Sequence, residues 1–374
     1  VAALEVKSVR GLLGRRAFID VPFRIHGNDP SWVPPLRITV YDRLSPRHPA
    51  ASHQTTALWI ARRRGKPVGR IGACVDSEFD RYQGVRWGWV GFYDSFDDPD
   101  VAGALFETAW SWLRQQGAET AVGPASFTTN DELGLMVEGF DEPPAVLTLQ
   151  NPRYYEDLWL KHGWEPAMDL YGWHFDNSAA ITDRHRRTLE RLRERSQLRL
   201  RDANLKNWDR EVGRLFEVYN AAWSENWGFA PIPEPEVRHV AKQLKSIINP
   251  HWTFGVETSE GELVGFCIAL PDVNLLMLKV RSGRLLPFGW WTLLTGRRKV
   301  DRARVWALGI KPQYQSLALG PLLYGTIVDR LVGDPGVQSA EASWILATND
   351  RMNSQIQALG GVRSRVWRLY QRAL

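Results

Sequence analysis

Two stretches far apart in the chain follow one plan. Ala57–Ala61 and Pro67–Ala73 flank the turn Arg64-Gly65-Lys66; Trp252–Glu257 and Leu263–Leu270 flank Ser259-Glu260-Gly261-Glu262. Strand-like apolar runs split by a short polar turn with glycine are the pattern of a β-hairpin. The second strand of each opens on Val-Gly, Val68-Gly69 in one and Val264-Gly265 in the other. The far ends correspond as well. Asn151 precedes Gly163-Trp164 by twelve residues, and Asn349 precedes Gly361-Val362 by twelve. The interval from Gly65 to Gly163 nearly equals that from Gly261 to Gly360. Such spacing argues for a duplicated unit, and 374 residues are enough for two domains, each with a core. Extra chain falls at 123–148 in the first half and 275–299 in the second.

Within each half the order reads hairpin, strand, helix, strand, helix, final strand. Gly88–Tyr93 is strand-like, and Pro99–Gln116 carries Val101, Leu105, Phe106, Ala109 and Leu113 at helical spacing. Pro99 suits a first helical turn and Gly117 a stop. In the second half, 208–223 is an amphipathic helix with Val212, Phe216, Tyr219 and Trp223 on one side. Arg304–Ile310 reads as a strand, Pro321–Leu331 as a helix, Ser339–Leu346 as a strand, 350–359 as a short helix and Val366–Tyr370 as the last strand. Residues 184–201 hold eight arginines against Glu190 and Glu194 and read as a solvated connecting helix. The expected division is a first domain over 1–177, a basic connecting helix over 178–207 and a second domain over 208–374.

Composition narrows the function. Two cysteines, Cys74 and Cys267, exclude a disulfide framework and a Cys-rich metal site, and suit a reducing cytoplasm. No charged-then-apolar leader occurs at 1–30 and no run of 18 apolar residues occurs anywhere. A net charge of +5 makes no case for nucleic acid. Eighteen tryptophans imply broad aromatic surfaces. The histidines show no His-x-x-x-His pair, and neither a Gly-x-Ser-x-Gly elbow nor a Gly-x-Gly-x-x-Gly turn is present, so no metal is expected.

Between a strand and a helix lies Gly309-Ile310-Lys311-Pro312-Gln313-Tyr314-Gln315-Ser316-Leu317-Ala318-Leu319-Gly320. Free main-chain N–H groups at a helix start favour an anion, and Gln315-x-x-Ala318-x-Gly320 has the spacing to wrap a pyrophosphate. This segment, together with Asn349-x-x-Met352-Asn353, resembles the GNAT acyltransferase fold. More narrowly, the whole chain resembles a bacterial family of double-GNAT proteins. The carrying segments include Asp29-Pro-Ser-Trp-Val-Pro-Pro-Leu36, Gly139-Phe-Asp141, Asp169-Leu-Tyr171, Asn226-Trp-Gly-Phe229, Leu270-Pro-Asp-Val-Asn274 and Glu341-Ala-Ser-Trp-Ile-Leu346. The resemblance implies an α/β fold of two tandem GNAT units, each a mixed, mostly antiparallel twisted sheet flanked by helices. It also implies transfer of an acyl group from acyl-CoA or acyl-ACP to an amine, by direct attack on the thioester.

On that resemblance the donor contacts fall on Leu308, Gly309, Ile310, Gln315, Leu317, Ala318, Leu319, Gly320 and Asn349. Asp272 is the candidate for binding or deprotonating the amine, and Asn226, Asn274 and Asn353 for orienting it. Two departures bear on catalysis. Ala318 replaces a loop glycine, and Ile356 stands where many relatives carry the tyrosine that protonates the leaving thiolate. The first half keeps Tyr154 and Tyr155, but its strand-to-helix segment, Asp94-Ser-Phe-Asp97-Asp98-Pro99-Asp100, sets four carboxylates where a pyrophosphate would lie. Donor binding is therefore expected in the second half. Segment 275–299, with six basic residues and no acid among Leu, Phe and Trp, reads as a membrane-interface segment or a lid over an acyl chain. A small-molecule or lipid amine is the expected acceptor. The acyl-carrier protein is a fitting acidic partner, and the expected location is cytoplasmic, peripheral to the inner membrane. The alternatives are a ceramide-synthase-like enzyme making long-chain amides at the membrane surface, and an inactive GNAT-fold scaffold.

Overall fold

The structure is a computed structural model and describes residues 3–176, 187, 190–191, 198–317 and 319–374. Along the chain come β1 (Leu4–Ser8), α1 (Gly11–Ile25), α2 (Arg37–Arg43), β2 (Gln54–Arg63), β3 (Lys66–Asp76), α3 (Ser77–Gln83), β4 (Trp87–Ser95), α4 (Pro99–Gln115), β5 (Thr120–Gly123), β6 (Leu135–Glu138), α5 (Tyr154–Lys161) and β7 (Glu165–Asp176). Then follow β8 (Arg199–Asp202), α6 (Trp208–Trp223), α7 (Glu234–Leu244), β9 (Thr253–Glu257), β10 (Leu263–Pro271), α8 (Asn274–Met277), α9 (Gly289–Gly296), β11 (Arg302–Ile310), α10 (Leu319–Val332), β12 (Ser339–Leu346), α11 (Asp350–Ala358) and β13 (Val362–Ala373). Both expected hairpins are present, as β2–β3 and β9–β10. The connecting helix expected over 178–207 lies mostly outside the described residues, and its end is the strand β8 rather than helix.

The chain divides into two compact units, but not at one point. The first is Val1–Asp169 with Asn274–Thr295 and Arg365–Leu374; the second is Leu170–Val273 with Gly296–Ser364. The sequential boundaries expected from the repeat are therefore corrected twice. The insertion between β10 and β11 belongs to the first unit, and so does most of the last strand.

In the first unit, β1, β2, β3 and β4 run antiparallel in sequence order, β4 pairs parallel with β5, and β5 pairs antiparallel with β13. Helix α4 starts because Asp98 accepts from the N–H groups of Asp100 and Val101 and Pro99 occupies the first turn. Its apolar stripe, Val101, Leu105, Phe106, Ala109 and Leu113, is wholly buried beside Trp159, Trp164 and Tyr370. The second unit repeats the plan. β8, β9, β10 and β11 are antiparallel neighbours, β11 and β12 are parallel, and β12 pairs antiparallel with β7. Helix α10 packs Leu319, Leu322, Leu323 and Ile327 into that unit's core.

A bulge marks the same place in both units. Arg70 faces Asp94 and Gly72 faces Gly91, so Phe92 and Tyr93 oppose Ile71 alone. Ile268 faces Ala307 and Ala269 faces Val305, so Trp306 is the extra residue. A bulge bends its strand and ends regular pairing, and in each unit it sits on the strand that pairs parallel with the next. Gly91 is required there by a close approach, because a Cβ on it would lie 1.7 Å from the Ala125 carbonyl oxygen. Replacing Gly91 by Ala is expected to destabilise the first unit by about 3 kcal/mol or more, measured as a lowered denaturant midpoint.

Candidate functional site

The second unit has an opening between its parallel strands. β11 and β12 pair only over Arg302–Val305 with Ser339–Ala342, after which β11 bulges at Trp306 and continues to Ile310. Lys311 donates its N–H to the Val264 carbonyl on β10. Successive residues of an antiparallel ladder point to opposite sides. The N–H of Gly309 therefore also faces β10, whereas those of Leu308 and Ile310 face the side that β12 has left. Of the three expected donor-site residues on this strand, two turn their amides away from β10 and Gly309 spends its own in the ladder. Gly309 has a different use: a Cβ there would lie 2.3 Å from the Trp223 ring of α6, so glycine lets that helix lie on the strand.

A buried guanidinium holds the opening's edge. Arg304, fully buried, donates to the Ser343 carbonyl through Nη2 at 2.8 Å and to the Ser343 hydroxyl through Nε at 3.1 Å. Ser343 in turn donates to Glu341 Oε1 at 2.7 Å. The first main-chain carbonyl of β12 beyond the paired segment is thus satisfied by a side chain, which a buried carbonyl requires.

The strand-to-helix segment is more ordered than an open loop. Pro312–Leu317 is a 3-10 helix and α10 begins at Leu319. Ala318 lies outside the described residues. Leu319 is a core side chain, which leaves only its main chain for a ligand, and Gly320 is buried next to Gln355. Gln315 turns its amide back toward the Ile310 carbonyl at 3.4 Å, while its own carbonyl accepts from Arg351 Nη2 at 2.9 Å. Arg351 was not anticipated. It is an exposed guanidinium held against the segment expected to face phosphates, and its signal was present in Asn349-Asp350-Arg351. Asn349 is the cap of α11, accepting from the Met352 N–H at 3.1 Å, rather than a donor contact. Ile356 is buried in the core, so no hydroxyl acts from that position.

The expected acceptor residues are corrected. Asp272 is fully buried, and its carboxylate is bound by Arg302 Nε at 2.5 Å. A carboxylate without solvent exposure and bound to a neighbouring guanidinium is not open to an incoming amine. Asn353 accepts from the Trp173 indole at 3.0 Å and donates to the Leu346 carbonyl at 3.0 Å. Asn274 belongs to the first unit, where its amide donates to the carbonyls of Pro144 and Ala145 at 3.0 and 2.9 Å. These three are clamps of the fold. Asn226 lies in the turn after α6, half-buried, its N–H on the Trp223 carbonyl.

The equivalent place in the first unit is closed. β4 and β5 pair over Trp87–Trp89, and the Val90 carbonyl then accepts from the Ala125 N–H at 2.9 Å, so the main chain stays zipped past the bulge. At the start of α4 the N–H groups that would cradle a phosphate are taken by the Asp98 carboxylate. The four carboxylates read as one repelling group have separate fates. Asp98 caps the helix and pairs with Arg63, Asp97 and Asp100 are exposed, and Asp94 points inward. Asp94 binds Arg70 Nε at 2.7 Å and His26 Nε2 at 2.7 Å, and the Tyr155 hydroxyl lies 3.3 Å from the same His26 nitrogen. Burial alone would raise the Asp94 carboxyl, but Arg70 and His26 hold it below the usual carboxylate range. Burial drives the Tyr155 phenol well above its ordinary value. His26 was missed because its partners come from β4 and α5, and no local pattern joins them.

Antiparallel strands leading to a bulged strand that pairs parallel with the next, with a helix between the two, define the GNAT class of fold; both units carry this plan, and the parallel pair opens in the second. Solved structures agree. A tandem GNAT protein from the clavulanic acid biosynthesis pathway superposes with a TM-score of 0.58 at 14% identity, covering 99% of this chain and 98% of that one. A GCN5-related N-acetyltransferase from Anabaena variabilis gives 0.56 at 10% identity, covering 99% and 73%. No family model matches the sequence. The chain is 34% identical over its whole length to the bacterial ceramide synthase of Caulobacter vibrioides, covering 98% of that protein. It is 32% identical to Protein YghO of Escherichia coli K12, over 96% of this chain and 93% of that one. The chain belongs to the double-GNAT family of these two proteins.

Two outcomes are expected from these sites. Asp272→Asn removes the buried carboxylate that Arg302 Nε binds and lowers stability by about 3 kcal/mol, read as a shifted denaturant midpoint with an unchanged pH optimum of any activity. Asp94 has a depressed pKa in the fold. Its stabilising contribution is full above the ordinary carboxylate pKa of about 4 and is lost as pH falls through the lower folded value. Asp94→Asn therefore flattens the acid limb of the stability profile measured by chemical denaturation from pH 7 to pH 2.

Proposed function

We propose that the protein is an N-acyltransferase that takes an acyl group from an acyl-CoA or acyl-carrier thioester and delivers it to the amine of a long-chain lipid base. The single observation that carries this reading is the opening between β11 and β12, with the amides of Leu308 and Ile310 unclaimed by β10. Two such N–H groups suit the oxygen of a thioester as it gains negative charge in the tetrahedral state. The amine nitrogen forms a bond to the carbonyl carbon, the carbon–sulfur bond breaks, and the sulfur leaves as thiolate; the proton lost by the amine passes to water, and the thiolate takes one from water to become the free thiol. The start of α10 and Arg351 supply positive potential for the carrier's phosphates. The first unit supports no second donor site in this reading, since Asp98 and Ala125 fill the equivalent places.

The lipid acceptor draws its support from the relatives. The protein from Caulobacter vibrioides is a ceramide synthase, and a ceramide is an N-acylated long-chain base. This chain aligns with that protein from end to end.

Incubating the purified protein with acyl-CoAs of graded length and a panel of amines, while following thiol release and amide mass, tests the reading. Thiol release with a long-chain base, absent with short hydrophilic amines, is the expected result. Arg351→Ala is expected to raise KM for acyl-CoA about tenfold while leaving KM for the amine unchanged, as loss of one charge-assisted phosphate contact predicts. Failure to bind CoA and acyl-carrier protein by calorimetry, with no turnover on any amine, would leave a GNAT-fold scaffold in place of an enzyme.

A further inference from the structure

Segment Asn274–Thr295 is anchored at its base and bare at its tip. At the base, Asn274 holds the Pro144 and Ala145 carbonyls, Arg281 donates to the carbonyls of Gly27, Asp29 and Trp32, and the Gly283 carbonyl accepts from the Arg37 N–H at 2.9 Å. Leu276, Met277 and Val280 are buried there. Beyond Gly283 the pattern reverses. Leu286 is 75% exposed, Phe288 76%, Trp291 56% and Leu294 59%, on and just before α9. Trp290, also exposed, turns its indole N–H to the Pro287 carbonyl at 3.0 Å and meets Trp291 edge-on at 5.5 Å. Apolar residues on so short a stretch are held out in solvent by a braced base.

The charges flanking this tip are of one sign. Arg284 precedes it, Arg297 and Lys299 follow it, all three exposed, and no acidic residue lies between Asp272 and Asp301. Helix α9 has eight residues, far too short to cross a bilayer, and no helix among the described residues is long and apolar enough to do so. Leucine, phenylalanine and tryptophan flanked by arginine and lysine are the composition of a segment that dips into the headgroup layer of an anionic bilayer.

We infer that residues 286–294, flanked in the chain by Arg284, Arg297 and Lys299, form a wedge that seats the protein on the surface of an anionic membrane. The inference goes beyond acyl transfer and does not depend on it, because binding is read without either substrate. A second copy of the chain is the less suitable occupant, since two such wedges would bring six like charges together.

Co-sedimentation with vesicles tests it. One set contains phosphatidylglycerol and phosphatidylcholine and the other phosphatidylcholine alone. The protein is expected to bind the anionic vesicles at least tenfold more tightly, and to lose that preference as salt is raised. Substituting Leu286, Phe288 and Trp291 by Ser is expected to cut binding at least tenfold, with the circular dichroism spectrum and melting midpoint unchanged. Arg284→Glu, Arg297→Glu and Lys299→Glu together, which leave the apolar tip in place, are expected to do the same and provide the test should the first variant misfold. The inference is overturned if the native protein stays in the supernatant with both vesicles. It is also overturned if the variants bind as well as the native protein, or if sedimentation equilibrium shows a dimer that the serine variant dissolves.

Discussion

Everything proposed for the second unit depends on how two parallel strands are allowed to separate. β11 and β12 share a few rungs and then part. A main-chain carbonyl buried at that parting would be costly without a donor. Arg304 supplies it by placing a guanidinium on the Ser343 carbonyl and hydroxyl, and Ser343 passes the chain of hydrogen bonds to Glu341. A buried arginine is itself expensive unless its N–H groups are matched, so the network stabilises the opening as a set. The bulge at Trp306 does the rest: beyond it β11 keeps its ladder with β10 while its pairing with β12 has ended.

The first unit shows the same architecture with the opening sealed. Its bulge at Phe92 and Tyr93 is present, yet Ala125 closes on Val90 and Asp98 occupies the helix start. Duplication therefore preserved the strand order and the bulge while the two halves diverged in what fills the gap. In the first, the interior holds His26, Asp94, Arg70 and Tyr155 as one hydrogen-bonded cluster, which rigidifies the bulge from within.

Much of this was legible in the residues. Both hairpins, α4, α6, β12 and α11 follow from periodicity and caps, because Asp98-Pro99, Gly117 and Asn349 act on their immediate neighbours. The side-chain roles were less legible, because they depend on partners distant in sequence. Asp272 looks like a free carboxylate after Pro271 until Arg302 is placed on the neighbouring strand. Asn353 and Asn274 look like polar groups available to a substrate until Trp173 and the Pro144 carbonyl appear. The acidic run 94–100 read as one electrostatic block because sequence does not show that the strand carries Asp94 inward while the helix consumes Asp98.

The interleaved membership of the two units has a consequence for how the chain is made. The first unit includes residues 365–374, and Gln371 and Arg372 pair with Val122 and Ala121 on β5. A nascent chain on the ribosome holds all of β1 through α5 long before that closing strand exists. The half that is translated earlier is thus completed last, and its β5 edge waits unpaired through most of synthesis. Cutting the gene between the halves would yield one fragment lacking its final strand and another burdened with a segment that has nowhere to go.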